Sequence, residues 1–137
     1  MHINEIQDQI VDEFSPCKES IDKYKKLIEL AKQVEPLNNE YKTDENVIKG
    51  CQSNAWVVIN ENDNKLSIKG DVDVMITKGI MALILKVYNE QKPSEIINSD
   101  LYFLDKIGLK QSLSPQRANG VKAIVDHIQR YAKNCIE

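Results

Sequence analysis

The chain has 137 residues, of which 42% are hydrophobic and 28% charged, with a formal net charge of −3. That length suits one compact domain burying about two thirds of its unfolded surface, and the composition is that of an ordinary soluble globular protein, which favours neither disorder nor a membrane-embedded chain. Acidic and basic residues are interspersed, so the basic footprint that binding to a phosphate backbone requires is missing and nucleic acid is set aside.

The first segment, "MHINEIQDQIVDEF", mixes acidic with apolar residues and lacks a basic stretch before an unbroken apolar core. No signal peptide is therefore expected, and the expected compartment is the cytoplasm. Ile3, Ile6, Ile10 and Phe14 recur at helical spacing and predict a short helix that stops at Ser15-Pro16, because the residue before proline disfavours helical geometry. A second helix is predicted from Cys17 to about Gln33, with Ile21, Tyr24, Leu27, Ile28 and Ala31 on one stripe opposite Lys25, Lys26 and Glu29. Pro36 ends it.

The polar stretch "LNNEYKTDENVIKGCQSN" reads as an ordered loop with a short extended piece at Asn46-Val47-Ile48. "AWVVIN" and "KLSIKG" flank "ENDN", a hairpin signal in which the first strand is apolar on both faces and Leu66 and Ile68 of the second point inward. Asp71 or Asp73 can then cap a helix from about Val74 to Tyr88. Its apolar run is broken by Lys78 and Lys86 and is shorter than the roughly 18 residues of a bilayer span, so no membrane association is expected. Gly79 in its middle costs roughly 1 kcal/mol against alanine, which implies close approach of another backbone.

Two short helical turns, around Ser94 to Ile97 and Leu101 to Ile107, follow Pro93. Ser114 then supplies an N-cap and Pro115 the first position of a last helix, with Val121, Ile124, Val125, Ile128, Ala132 and Cys135 as its stripe. The sum is a single α+β domain over residues 1–137, a small antiparallel sheet of about three strands packed against and flanked by helices.

Three cysteines, Cys17, Cys51 and Cys135, form no CxxC pair and no zinc spacing, so no metal site is expected. Cys135 sits on an apolar stripe and reads as packing. Cys17 follows Pro16 at the expected start of a helix, where free N–H groups can acidify a thiol, although a structural role is the more ordinary one. Cys51 stands apart in "GCQSNAW": Gly50 permits a tight turn, and Gln52 and Ser53 are potential donors to a thiolate. A cysteine hydrolase would need a nearby base, and the two histidines are His2 at the terminus and His127 in the last helix. What remains is a thiol acting through its own nucleophilicity, as a redox thiol or a covalent carrier. Asp71, Asp73 and Lys78 have a plain reading as cap and solvated face. Arg117 reads as surface charge, yet a cation is disfavoured in the first turn of a helix, which hints at a tertiary or partner contact.

The residues "IKGCQSNAWVV", "GDVDVMITKGIMALIL", "KPSEII" and "LSPQRANGVKAIVDHI", in this order between about Tyr24 and Ile128, resemble the SufE family of sulfur acceptors. The resemblance implies a SufE/IscU-like fold and a protein that is not itself an enzyme. It implies a partner, a SufS-like cysteine desulfurase carrying pyridoxal phosphate (PLP), whose persulfide sulfur passes to Cys51 and whose turnover is stimulated. It implies delivery to iron-sulfur cluster assembly on a SufBCD-like complex, no cofactor of the chain's own, and leaves a homodimer open. By the same resemblance Cys51 is the persulfide acceptor, Gly50, Gln52, Ser53 and Trp56 support its loop, and Asp71, Asp73, Lys78 and Arg117 position the loop or meet the partner. Two other readings stand beside it. One is an IscU-like cluster scaffold, which needs about three converging thiolates; the other is an interaction module with an incidental thiol.

Overall fold

The computed structural model describes residues 2–49, 54–109 and 113–136. Helix α1 spans Ile3–Phe14 and α2 spans Ser20–Gln33. A single 3-10 turn at Asn39–Tyr41 precedes the hairpin of β1, Ala55–Asn62, and β2, Lys65–Val72. Helices α3 (Met75–Tyr88), α4 (Pro93–Asn98), α5 (Phe103–Lys106) and α6 (Pro115–Ile136) follow.

The expected α+β architecture is observed, with one difference in the sheet. Among the described residues it has two strands, not three. The extended piece at 46–48 does pair with β1, through a bridge from Val47 to Trp56, but is too short to form a strand. Asp63 and Asn64 both adopt positive φ, 52° and 63°, and so form the two-residue turn whose twist suits a hairpin. β1 therefore runs two residues further toward the turn than the sequence pattern suggests, and β2 continues two residues further at its other end, to Val72.

Leu66 and Ile68 point into the core as expected, and the outer edge of β2 is closed by the chain that leaves α3. Leu66 N–H donates to the Gln91 carbonyl at 3.0 Å, Glu90 N–H to the Leu66 carbonyl at 2.8 Å, and Ile68 N–H to Asn89 Oδ1 at 2.8 Å. These bonds satisfy backbone groups that an open edge would leave for water or another chain.

Helix α3 is the centre of the packing, in contact with α1, α2, β2 and α6. Ile80, Met81, Ile84, Val87 and Tyr88 are all fully buried along it. Gly79 is where α2 crosses: a Cβ there would overlap the Leu27 carbonyl oxygen and lie 2.7 Å from its carbonyl carbon, so the close backbone approach inferred from the glycine is real. The Tyr88 hydroxyl is met by Gln129 Nε2 at 3.2 Å from α6, and burial pushes its pKa up.

Several sequence expectations shift in detail. Ile3, Ile6, Ile10 and Phe14 form the buried stripe of α1, but Ile21 at the start of α2 is 61% exposed, and only Leu27 and Ala31 of that helix reach full burial. Helix α2 starts at Ser20, so Cys17 lies in the preceding connection, half-buried, with its N–H donated to the Phe14 carbonyl at 2.9 Å. It is not at a helix N-terminus. Cys135 is half-buried on the flank of α6 as a packing residue, and burial together with nearby Glu61 pushes its thiol pKa up. Ser114 caps α6 through its Oγ, which accepts the Arg117 N–H at 3.3 Å.

A contact without any sequence signal fixes α5. Gln7, fully buried on α1, accepts from the N–H groups of Tyr102 and Phe103 at 2.8 and 3.2 Å through Oε1, and donates through Nε2 to the Asp100 carbonyl at 2.9 Å. One amide thus satisfies three backbone groups of a turn 93 to 96 residues away.

Candidate functional site

Gly50, Cys51, Gln52 and Ser53 lie outside the described residues. The structure instead defines the frame from which that segment departs. On the upstream side Ile48 N–H donates to the Ala55 carbonyl at 2.8 Å and Val57 N–H to the Asn46 carbonyl at 2.9 Å. The chain entering at Lys49 and the chain returning at Asn54 are thereby zipped together against the end of β1. On the downstream side Asn54 is held by Asp73: Asn54 N–H donates to Asp73 Oδ1 at 3.0 Å, and Asp73 N–H donates to the Asn54 carbonyl at 3.0 Å.

Asp73 therefore does not cap α3, and neither does Asp71. The N-cap of that helix is Val74, without a side-chain hydrogen bond. Both carboxylates are spent on longer-range contacts, which a reading of local spacing could not separate from a cap.

Asp71 is 5% exposed and would be costly to bury as an anion without partners. It has four. Oδ2 takes the Leu37 N–H at 3.2 Å and the Lys42 ammonium at 3.4 Å, while Oδ1 takes the Val72 N–H at 2.9 Å and the Lys78 ammonium at 3.1 Å. Each oxygen thus receives one backbone donor and one lysine. Burial pushes the Asp71 pKa up, but the hydrogen bonds from Lys78 and Leu37 and the two positive charges outweigh it, and the group is held below its ordinary 3.8.

Trp56 stands directly across the hairpin from Asp71 in the strand register, and the Lys42 ammonium lies 5.0 Å from the centre of its ring. Four side chains from four places in the chain, Lys42, Trp56, Asp71 and Lys78, therefore converge at the foot of the segment that carries Cys51. Lys42 is not legible in the sequence as part of this group: it follows the 3-10 turn in a polar stretch with no periodicity to assign it a face.

Arg117 is placed elsewhere. It is exposed in the first turn of α6, and among the described residues its guanidinium joins none of the ion pairs around Asp71. Its neighbours Ala118 and Val121 line an apolar groove of about 360 Å³ with Leu101, Leu104 and Leu113. His127, half-buried on α6, has its pKa lowered by burial and by Arg130. Among the described residues no three His, Cys, Asp or Glu side chains come together as a metal centre, and no helix is long and apolar enough to cross a membrane.

The arrangement defines a class: a small α+β protein in which a cysteine-bearing segment joins two stems of a hairpin foot tied together by aspartates. Residues 8–132 match the family model of the Fe-S metabolism associated domain, SufE. An uncharacterised SufE-like protein of Rhizobium etli is 37% identical over 131 residues, covering 92% of this chain and 88% of that protein. A second, from Rhizobium meliloti, is 35% identical over 131 residues, covering 92% and 94%. The solution structure of a hypothetical protein from Thermus thermophilus superposes with a TM-score of 0.76 over 96% of each chain at 17% identity, a likeness of fold. The chain belongs to the SufE family, and its role lies in iron-sulfur metabolism.

Proposed function

We propose that this protein is a sulfur carrier that receives persulfide sulfur on Cys51 from a PLP-dependent cysteine desulfurase, stimulates that enzyme's turnover and passes the sulfur to iron-sulfur cluster assembly. The observation that carries this reading is the frame around residues 50–53, fixed by strand pairing at 46–48 and by the Asp73–Asn54 pair. A thiol on a segment that begins and ends at such a foot suits transfer between two proteins better than catalysis within one.

The chemistry needs little from the acceptor. The Cys51 thiolate attacks the outer sulfur of the donor persulfide, the new S–S bond forms as the old one breaks, and the donor leaves as its thiolate. No general base is required if the acceptor is ionised, which fits a chain whose histidines are His2, the N-cap of α1, and His127 on α6. The PLP belongs to the donor, and the carrier needs no cofactor of its own. In this reading Asp73 holds the segment at rest, Asp71 and Lys78 organise its foot, and Arg117 with the adjoining groove faces a partner, either the desulfurase or a SufBCD-like recipient. A reducing compartment such as the cytoplasm keeps the acceptor available. Cys135 is a poor third ligand for a cluster scaffold, because its thiol is pushed away from the thiolate form.

Intact-mass measurement after incubation with a cysteine desulfurase and cysteine tests the reading. The wild type gains sulfur and Cys51→Ser does not. Equal gain in both, or none in the wild type with any desulfurase, defeats it, and a coloured iron-containing product after reconstitution would point to a scaffold.

A further inference from the structure

Lys42 removes most of its side chain from water, being 29% exposed, to join a carboxylate that is already neutralised. Asp71 has Lys78 at 3.1 Å, closer than Lys42 at 3.4 Å, and two backbone N–H donors besides. The group of two ammoniums and one carboxylate carries a net positive charge, so charge balance does not account for the second lysine. What Lys42 adds is its position over the Trp56 ring, 5.0 Å from the centroid, where a cation is attracted by the negative face of the indole.

Those contacts join two stretches of chain that frame the acceptor segment. Lys42 ends an arm whose other end, Leu37, is tied to the same Asp71 oxygen, and the arm leads directly into residues 46–48. Trp56 lies on the returning side and is itself the bridge partner of Val47. A displacement of either stem slides Trp56 against the lysine.

We propose that Lys42 is a positioning residue at the hairpin foot, a latch that holds Trp56 and through it the two stems, at 46–48 and 54–57, between which Cys51 lies in the chain. The inference rests on the sulfur-carrier reading for its functional consequence but not for the latch itself. Its test uses the full-length protein with Lys42→Met, which keeps the aliphatic stem without the charge, and Lys42→Arg, which restores a cation.

Trp56 is the one tryptophan of the chain, so its fluorescence reports this site alone. Lys42→Met should shift the emission maximum of the free protein, and Lys42→Arg should return it toward the wild type. In the desulfurase assay, Lys42→Met should change the acceptor concentration for half-maximal stimulation by roughly two- to five-fold, the equivalent of one cation–aromatic contact, with the maximal rate unchanged. Lys42→Arg should restore it. An unshifted emission in Lys42→Met, or a shift that arginine does not reverse, overturns the latch. Wild-type protein that takes no sulfur while the emission responds as described defeats the carrier reading and leaves the latch standing. Equal half-maximal concentrations in wild type and Lys42→Met, with sulfur uptake intact, overturn the positioning role.

Discussion

Asp73 and Asn54 hold each other through two hydrogen bonds of 3.0 Å, one from each backbone N–H, the first to a side-chain oxygen and the second to a carbonyl. Asp73→Ala removes the side-chain acceptor only. The bond is exposed, so the stability loss should be modest, about 1 kcal/mol. The functional effect should be larger: alkylation of Cys51 under native conditions should speed up when its downstream anchor is loosened. Asp73→Asn, which retains an acceptor oxygen, should fall between the two. Equal rates in all three proteins would show that this clamp does not govern access to the thiol.

The four-donor site at Asp71 makes a prediction about acid. Its folded-state pKa lies below the ordinary 3.8, so its contribution to stability is fully present above that value and is lost as pH falls through the folded one. At neutral pH Asp71→Asn should cost about 2 kcal/mol, less than a fully buried pair because Lys42 and Lys78 remain 29% and 17% exposed. Denaturant unfolding across pH should show the gap between wild type and Asp71→Asn constant above about pH 5 and narrowing below 3.8. A gap independent of pH would assign the loss to packing instead.

Gly79 offers a test in which two effects oppose each other. Helix propensity favours Gly79→Ala by roughly 1 kcal/mol. The added methyl would overlap the Leu27 backbone, and forcing α2 away from α3 costs about 1 to 3 kcal/mol, more where the obstacle is backbone that cannot rotate aside. The clash should win. The urea midpoint should drop, and an increase would mean that α2 yields at that crossing.

Gln7 should be as sensitive although it lies far from the hairpin foot. Gln7→Leu keeps the volume but leaves the N–H groups of Tyr102 and Phe103 and the Asp100 carbonyl without their partner. At about 1 kcal/mol or more for each stranded group, the loss should reach about 3 kcal/mol. Hydrogen exchange at Tyr102 and Phe103 should accelerate selectively, and unchanged protection there would reassign the clamp.

The parts of the fold legible in the sequence are those with a period or a local signature. The α1 stripe, the inward Leu66 and Ile68 and the Ser114 cap all rest on residues near one another in the chain, and the glycine in mid-helix at Gly79 signals a close approach without naming Leu27 as its partner. The site is legible only where the family motif reaches it. Asp71 and Asp73 stand out in the sequence, yet a carboxylate ahead of a helix looks the same whether it caps that helix or reaches Lys42 and Asn54. Lys42 and Gln7 carry no signal, because a polar residue declares its burial only through partners remote in sequence. The third strand is expected because 46–48 has strand-like residues, and a bridge of that length stays short of a strand.

Ile48 and Asn54, the anchors on either side of residues 50–53, are each three residues from Cys51. Three residues of fully extended chain span at most about 10 Å. With both anchors closed, covalent geometry alone keeps Cys51 within about that distance of either one. On the sulfur-carrier proposal, a donor sulfur lying deeper than that inside another protein would be met only after the Asp73–Asn54 pair had parted, which would make those two hydrogen bonds a gauge of how deep a partner's pocket the protein can serve.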